Sequence, residues 1–270
     1  MPEKSTGGRW GFTTGACAAA AAKAAAQVLA GAPASPANVE IPFPGGGRLA
    51  LPVEWARRDG AGAEAAVRKD AGDDPDITNG ALIVSRVAWA DGREVTFAAG
   101  EGVGTVTKPG LSVPPGEPAI TPGPRSMIRA AIREVTDLAV RVTVAIPEGR
   151  GLAQKTFNPR LGIVNGLSVL GTTGRVRPFS CEAMRCSVAC ELKVAKAAGV
   201  VFPVLVPGHI GERSARRSLK LASDQLVEVG NEWGFVLEQM ARYPFRRALL
   251  WGHPGKLAKL ADGQWDTHSS

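Results

Sequence analysis

The sequence predicts an α+β N-terminal domain joined to an α/β domain with a mostly parallel sheet. In the first part of the chain, strands and helices follow one another without the rhythm of βαβ units. From about residue 155, strands and helices alternate one for one, which is typical of a parallel, doubly wound sheet. These two observations place the domain boundary near residue 155, with one domain over 1–155 and the other over 156–270.

The first domain begins with an alanine-rich helix over residues 16–30, with Thr13 or Thr14 as its cap. A second helix begins near Pro124, because proline is favoured in the first turn. Its predicted apolar face is Ile128, Ala131, Ile132, Val135 and Leu138. Apolar runs between turn residues predict strands over 39–41, 49–53, 63–69, 81–89, 93–98 and 140–146.

The second domain is predicted to carry ligand-binding loops at one edge of its sheet. Its predicted strands are 167–170, 200–206, 225–229 and 247–251, and its predicted helices are 180–198, 211–222, 231–241 and 254–262. Ligands of such sheets bind at the carboxyl ends of the strands, which are followed by the loops 171–174, 207–209, 230–232 and 252–256. The candidate binding residues there are Thr172, Thr173, Gly174, Gly208, His253 and Lys256. Glycine is also the usual residue of tight strand-to-helix turns, so a purely structural role stays open.

Composition and charge narrow the class of protein. With 270 residues, of which 44% are hydrophobic, the chain can bury a core, and disorder is not expected. No stretch is long and apolar enough to span a membrane, and the N-terminus lacks a secretion signal, so we expect a cytoplasmic protein. The net charge of +7 suits a small anionic ligand. The basic residues form no block with interleaved aromatics, so nucleic acid is not an expected partner.

The residues that bind metals are few and poorly spaced. The chain has four cysteines and three histidines, and no Cys-x-x-Cys, so we predict no zinc or iron–sulfur site. A carboxylate loop contains Asp70, Asp73, Asp74 and Asp76, but its spacing differs from that of a calcium loop. These carboxylates could bind a metal, cap turns or pair with neighbouring basic residues, and we predict no bound metal.

The start of the alanine-rich helix is a candidate anion site. Thr13, Thr14 and Gly15 would present free backbone N–H groups and the positive end of the helix dipole. Alternatively, the alanines make a thin helix that is buried against a sheet. The residue pattern leaves both interpretations open.

Two further features carry ionisable residues. Glu101 and Lys108 lie in a glycine-rich segment, 100–110, which lacks the glycine spacing of a dinucleotide fingerprint. Arg125, Arg129 and Arg133 are spaced by four and form a basic stripe on the second helix. Arginine binds carboxylates with two parallel hydrogen bonds, although a solvated helix face gives the same pattern.

An ordered set of segments resembles the CbiD family, the cobalt-precorrin-5B C(1)-methyltransferases. The most recognisable segment is Gly-Phe-Thr-Thr-Gly-Ala-Cys at 11–17, and the others are 69–76, 100–111, 116–120, 158–163, 171–174 and 252–256. The resemblance implies a CbiD-like two-domain fold and S-adenosylmethionine as the methyl donor. It also implies a cobalt-containing tetrapyrrole substrate, methylated at ring carbon C-1, with cobalt present only as part of that substrate.

The resemblance leads to hypotheses about residues. A carboxylate, Asp70, Asp73 or Glu101, could act in catalysis by stabilising the positive charge of the donor. The candidates for binding the anionic substrate or the donor include Thr13, Thr14, Gly15, Lys108 and Arg125, together with the loop residues of the second domain.

Two other functions stay open. The chain could be a non-catalytic corrinoid-binding or scaffolding protein, or a phosphotransferase, although Gly-x-x-x-x-Gly-Lys-Ser/Thr is absent. The family pattern continues beyond residues 266–270, so we expect a shortened member whose second domain is incomplete at its C-terminal end.

Overall fold

A computed structural model describes residues 8–32, 36–178 and 181–267. The chain divides into two compact units, Met1–Thr107 with Pro115–Phe179, and Lys108–Pro114 with Ser180–Ser270. The predicted boundary near residue 155 is therefore too early. Residues 155–178 belong to the first unit because they pair with it, Ile163 with Val106 and Val169 with Ile120.

The first unit contains eleven strands and three helices within its described residues. They are β1 (Gly11–Phe12), α1 (Thr14–Leu29), β2 (Asn38–Pro42), β3 (Arg48–Pro52), β4 (Trp55–Asp59), β5 (Gly62–Arg68), β6 (Leu82–Trp89), β7 (Val95–Ala99), β8 (Thr105–Val106), α2 (Pro122–Arg133), β9 (Val140–Ala145), α3 (Gly149–Ala153), β10 (Ile163–Val164) and β11 (Arg175–Val176). The largest sheet has the order β4-β5-β6-β9-β7 and is antiparallel except for the pair β7–β9.

Helix α1 lies at the centre of this unit, packed against α2 and against β5 and β6 of the large sheet. Its alanines are all at most 1% exposed. A helix this thin can approach a sheet closely on one side and a second helix on the other. The predicted helix is confirmed, and the structure realises the interpretation of a thin helix buried against a sheet.

Lys23 is the buried cation of α1. Its Nζ donates to the carbonyl of Glu40 at 2.7 Å and pairs with the carboxylate of Glu134. Arg48 also bonds that carboxylate, with Nη1 2.8 Å from Oε1. Hydrogen bonds from Arg48 and Lys23 lower the pKa of Glu134 to about 2. The cost of burying Lys23 is offset by a paired carboxylate and a backbone carbonyl.

Helix α2 is shorter than its sequence pattern predicts. The helix ends at Arg133, so Leu138 does not continue its apolar face and is instead 63% exposed. Arg133 accounts for this end, because its guanidinium bonds the carbonyls of Thr136, Leu138 and Arg93. These bonds hold the segment between α2 and β9 in a turn.

The second unit contains a parallel sheet, as predicted. Its elements are α4 (Cys181–Ala197), β12 (Val204–Val206), α5 (His209–Ser218), β13 (Leu226–Glu228), α6 (Trp233–Met240), β14 (Leu249–Leu250) and α7 (Pro254–Ala261), with a short 3-10 helix at Ser223–Gln225. The strand order is β13-β12-β14, and both pairs are parallel. The predicted strand 167–170 is not part of this sheet, because Leu167 and Val169 bridge to the first unit. Within the described ranges, no helix combines the length and the apolar character that a membrane crossing requires.

Candidate active site

The start of α1 is closed by the protein's own oxygens. Thr13 caps the helix, and its Oγ1 accepts from the N–H of Ala16 at 3.1 Å. The N–H of Gly15 donates to the carbonyl of Leu170 at 2.9 Å, and the N–H of Cys17 donates to the carbonyl of Thr13 at 3.1 Å. The prediction of free N–H groups at Thr13, Thr14 and Gly15 is therefore wrong for Thr13 and Gly15, because the carbonyls of Gly174 and Leu170 accept from their N–H groups.

Glycines permit this closure. A Cβ on Gly15 would lie 2.6 Å from Cγ of Pro124, and one on Gly171 would lie 2.3 Å from Oγ1 of Thr13. Thr14 completes the contact, because its hydroxyl accepts from the N–H of Leu170 at 2.9 Å and donates to the carbonyl of the same residue at 3.2 Å. The start of α1, the start of α2 and the loop 171–174 therefore meet at one place in the first unit.

This meeting corrects the predicted position of the loop 171–174. The loop does not follow a strand of the parallel sheet, since the chain from Gly174 continues into β11, which pairs with β1. Thr172 and Thr173 are exposed and Gly174 is buried, with its carbonyl accepting from the N–H of Thr13 at 3.0 Å. The family motifs at 11–17 and 171–174 are thus neighbours in space.

The carboxylate loop holds the segment that leads into β1. Arg9 bonds both oxygens of Asp70, with Nη2 2.9 Å from Oδ1, and its backbone N–H donates to Oδ2 of Asp73 at 2.7 Å. The hydrogen bond from Arg9 is the main reason why the pKa of Asp70 is lowered. Gly72 lets the two segments cross, since a Cβ there would lie 2.1 Å from the carbonyl oxygen of Arg9. Both proposed catalytic aspartates therefore have structural contacts.

The other end of this loop is held by a buried lysine. Lys69 is 2% exposed, and its Nζ lies 2.6 Å from Oδ2 of Asp76. Asp76 also accepts from the N–H of Thr78 at 2.7 Å, which is turn capping. Burial alone would raise the pKa of Asp76, but the charge and hydrogen bond of Lys69 lower it overall.

The segment 100–110 separates its two candidate residues. Glu101 is exposed, and its carbonyl accepts from the N–H of Ile146 at 2.8 Å. Gly102 lies where the backbone crosses another loop, since a Cβ there would lie 1.8 Å from the carbonyl oxygen of Ile146. Lys108 belongs to the second unit and pairs with Asp224 there. The two side chains therefore belong to different compact units.

Arg125 stabilises the loop before α2 through hydrogen bonds and an ion pair. Its Nε donates to the carbonyl of Ile120 at 2.7 Å, and its Nη2 lies 2.8 Å from Oε2 of Glu117. Arg125 and Arg129 also lie over the ring of Phe97, at 5.5 and 4.9 Å from its centroid. Two arginines of the predicted basic stripe therefore contact other residues of the first unit.

Cys17, within the family motif, is a buried thiol. Burial raises its pKa to about 12, so it stays protonated at neutral pH and is no nucleophile.

The carboxyl edge of the parallel sheet contrasts with the start of α1. Helix α5 begins there after Gly208, which provides no side-chain cap. The first backbone bond runs from the N–H of Glu212 to the carbonyl of Gly208, at 2.9 Å. Among the described residues, none accepts a hydrogen bond from the N–H groups of His209, Ile210 and Gly211. At the edge that was predicted to bind ligands, a helix therefore begins with N–H groups that are not hydrogen-bonded within the described residues.

The loops after β12 and β14 lie side by side at this edge. A Cβ on Gly252 would lie 3.0 Å from Cδ of Pro207, and one on Gly211 would lie 3.3 Å from the carbonyl oxygen of Trp251. Since β13 and β14 lie on opposite sides of β12, the crevice between β12 and β14 is the point where the strand order reverses. Open α/β sheets bind ligands at such points.

Lys256 and His253 line the β14 side of the edge. Nζ of Lys256 donates to Oδ1 of Asn231 at 2.7 Å, and Thr267 bonds the same oxygen at 3.1 Å. His253 is exposed and caps α7, with its Nδ1 accepting from the N–H of Gly255 at 3.2 Å. Asn231 lies in the loop 230–232, which was predicted at the ligand edge, but it was not among the candidate binding residues.

Comparisons with known proteins agree with the motifs. Residues 1–178 match the family model described as CbiD. A cobalt-precorrin-5B C(1)-methyltransferase of Syntrophotalea carbinolica is 62% identical over 260 residues, covering 96% of this chain and 74% of that protein. One of Alkaliphilus metalliredigens is 45% identical and covers 97% of this chain and 70% of that protein.

A solved structure is also similar. The crystal structure of the cobalamin biosynthesis protein cbiD from Archaeoglobus fulgidus has a TM-score of 0.51 and 27% identity, covering 96% of this chain and 82% of that one. The match of the family model over more than half of the sequence, together with these relatives, shows that the chain belongs to the CbiD family.

Proposed function

We propose that this chain is a cobalt-precorrin-5B C(1)-methyltransferase, which methylates ring carbon C-1 of a cobalt-containing tetrapyrrole in cobalamin synthesis. The observation that carries the proposal is the 62% identity with a methyltransferase of that name over 96% of this chain. We further propose S-adenosylmethionine as the donor, because a sulfonium methyl group is a strong electrophile for carbon.

The reaction fits a protein with few histidines. Transfer of a methyl group from sulfur to carbon is an in-line displacement, in which the C–S bond breaks as the C–C bond forms. Its main requirements are alignment of the two reactants and exclusion of water, rather than a strong acid or base. The net charge of +7 favours a substrate that carries many carboxylates.

We place the donor at the carboxyl edge of the parallel sheet in the second unit. S-adenosylmethionine carries a carboxylate, and the open N–H groups at the start of α5, after Gly208, can bind one. Lys256 adds a positive charge in the first turn of α7, which follows β14. Gly208, His253 and Lys256 are therefore proposed as donor-site residues. His253 acts indirectly, by capping α7.

Methyl transfer is tested directly with the ring-contracted cobalt precursor and a donor whose methyl group is isotopically labelled. We expect one labelled methyl group in the product, assigned to C-1 by NMR. Binding of the tetrapyrrole without transfer, by a folded sample, would contradict the enzyme and support a scaffolding protein.

The donor site is tested by Lys256→Met, with Lys259→Met on the same helix as the matched control. We expect the Lys256 variant to weaken donor binding about tenfold, which is about 1.4 kcal/mol, in isothermal titration calorimetry. Equal affinities of the two variants would move the donor elsewhere and leave the proposed reaction intact.

The catalytic role proposed for Asp70, Asp73 and Glu101 needs its own assay. Each is replaced by its amide, and single-turnover methylation is measured alongside the free energy of unfolding. Because Asp70 and Asp73 bind Arg9, their variants are expected to lose stability rather than rate, whereas a slower Glu101 variant of normal stability would assign that residue to catalysis.

A further inference from the structure

Three side chains on the β13 side of the carboxyl edge surround one small space. They are His209 and Glu212, one turn apart on α5, and Glu228, the last residue of β13. Nδ1 of His209 lies 3.9 Å from Oε2 of Glu212 and 3.9 Å from Oε2 of Glu228. The ligand atoms of the three residues all lie within 4.8 Å of one another.

We propose that these three residues bind a divalent transition-metal ion. Ligands at about 2.1 Å from a metal are separated by about 3.0 Å in octahedral and about 3.4 Å in tetrahedral coordination. The observed 3.9 Å separations exceed the range of a direct hydrogen bond and need to shrink by less than about 1 Å. The imidazole can make this movement, because it is 81% exposed.

Other groups hold the carboxylate of Glu212 and the main chain of Glu228. Arg216 donates to Oε1 of Glu212 at 2.9 Å, and Oε2 of the same carboxylate lies towards His209. The backbone N–H of Glu228 donates to Oε2 of Glu191 at 2.8 Å. The absence of a side chain at Gly208 leaves one side of Glu228 uncovered, since a Cβ there would contact Oε1 at 3.6 Å. A hydrogen bond such as that from Arg216 orients a carboxylate for a metal.

The ligand set indicates the class of ion. One imidazole nitrogen with two carboxylate oxygens suits Zn²⁺, Mn²⁺, Fe²⁺ or Co²⁺, whereas Ca²⁺ and Mg²⁺ prefer ligands that are all oxygen. Two carboxylates outweigh the half positive charge of the helix start and the single charge of Arg216. The metal site adjoins the proposed donor site at the start of α5, but metal binding does not require the proposed methyl transfer. Histidine spacing in the sequence did not predict the metal site.

The test is calorimetric titration of the full chain with Zn²⁺ alone and with Ca²⁺ alone. We expect one Zn²⁺ per chain and much weaker binding of Ca²⁺. His209→Asn and Glu228→Gln are each expected to weaken Zn²⁺ binding at least tenfold. His253→Asn is the matched control, since it removes an imidazole but keeps a residue that caps helices well, and it should bind Zn²⁺ as the original chain does.

Three results would overturn the site. They are no saturable Zn²⁺ binding by the folded chain, unchanged affinity in His209→Asn, and a Glu228→Gln variant that loses donor affinity while Zn²⁺ binding is unchanged. The last result would assign Glu228 to the donor instead. Circular dichroism of each variant shows whether lost binding is lost folding.

Discussion

The starts of α1 and α5 look alike in sequence terms and differ in the structure. Each follows a loop with glycine or a small polar residue, and each was a candidate for binding an anion. At α1, a threonine cap and the carbonyl of Leu170 accept from the N–H groups of Ala16 and Gly15. At α5, glycine provides no cap and the first N–H groups stay available to a ligand. A helix start can therefore bind an anion only where the fold leaves its N–H donors unsatisfied.

The largest effect is expected from a substitution at the closed start of α1. Gly15→Ala adds a methyl group 2.6 Å from Cγ of Pro124 and 2.9 Å from the carbonyl oxygen of Leu170. We expect the free energy of unfolding to fall by about 3 kcal/mol, measured by urea denaturation. Gly151→Ala is the control, because open space surrounds that glycine. A Gly15 variant as stable as the Gly151 variant would mean that the start of α1 is not tightly closed.

The open start of α5 is tested by a proline substitution, which removes one backbone N–H group. Proline is tolerated at the first helical position, and Gly208 has the extended ψ that a residue before proline favours. We expect His209→Pro to bind the donor about tenfold more weakly than His209→Ala, which is about 1.4 kcal/mol. The measurement is calorimetry with a chelator present, so that metal binding plays no part. Equal affinities would show that this N–H does not contact the donor.

A smaller effect is expected from the cap of α1. Thr13→Ala removes the oxygen that accepts from the N–H of Ala16 and should cost about 1 kcal/mol of stability. Thr13→Ser keeps that oxygen and should lose much less. Thermal unfolding of the two variants measures the difference, and a Ser variant as unstable as the Ala variant would assign the loss to the methyl group.

A further effect concerns the carboxylate that pairs with the buried lysine of α1, and it depends on pH. The pKa of Glu134 is about 2 in the folded protein, against 4.5 as its ordinary value, because Arg48 and Lys23 bond the carboxylate. The unfolded chain therefore binds more protons between these values, so this contribution to stability is complete above about 4.5 and is lost as the pH falls towards about 2.

Glu134→Gln removes this dependence. Urea denaturation of the original chain and of the variant across that pH range gives the two slopes. We expect the variant to be less stable at neutral pH and to lose less stability in acid. Parallel slopes would show that Glu134 is not the group responsible.

Local sequence pattern was sufficient to predict most helices and strands. The alanine helix, four of the five strands of the large sheet and the parallel strands of the second unit follow from periodicity and turn residues, whereas β4 was not predicted. Local pattern failed at residues 167–170, where an apolar run resembled a strand of the parallel sheet. Those residues bridge to Val103 and Ile120 instead, and periodicity does not indicate which partner an apolar segment chooses.

The candidate site residues divide in the same way. The positions of Gly208 and Lys256 at one edge of the sheet were predictable, because the segments that follow parallel strands begin at the same edge. The structural roles of Arg9, Asp70 and Arg125 were not, because each depends on a partner whose position only the fold determines.

Residue identity and spacing were sufficient to predict the family, the class of each unit and the helix of alanines. Which helix start is open depends on how distant parts of the chain pack together. The carbonyl that closes α1 belongs to Leu170, 156 residues after the hydroxyl of Thr14 that it meets. A hydrogen bond over that separation forms only when the chain has packed, so no local pattern could reveal it.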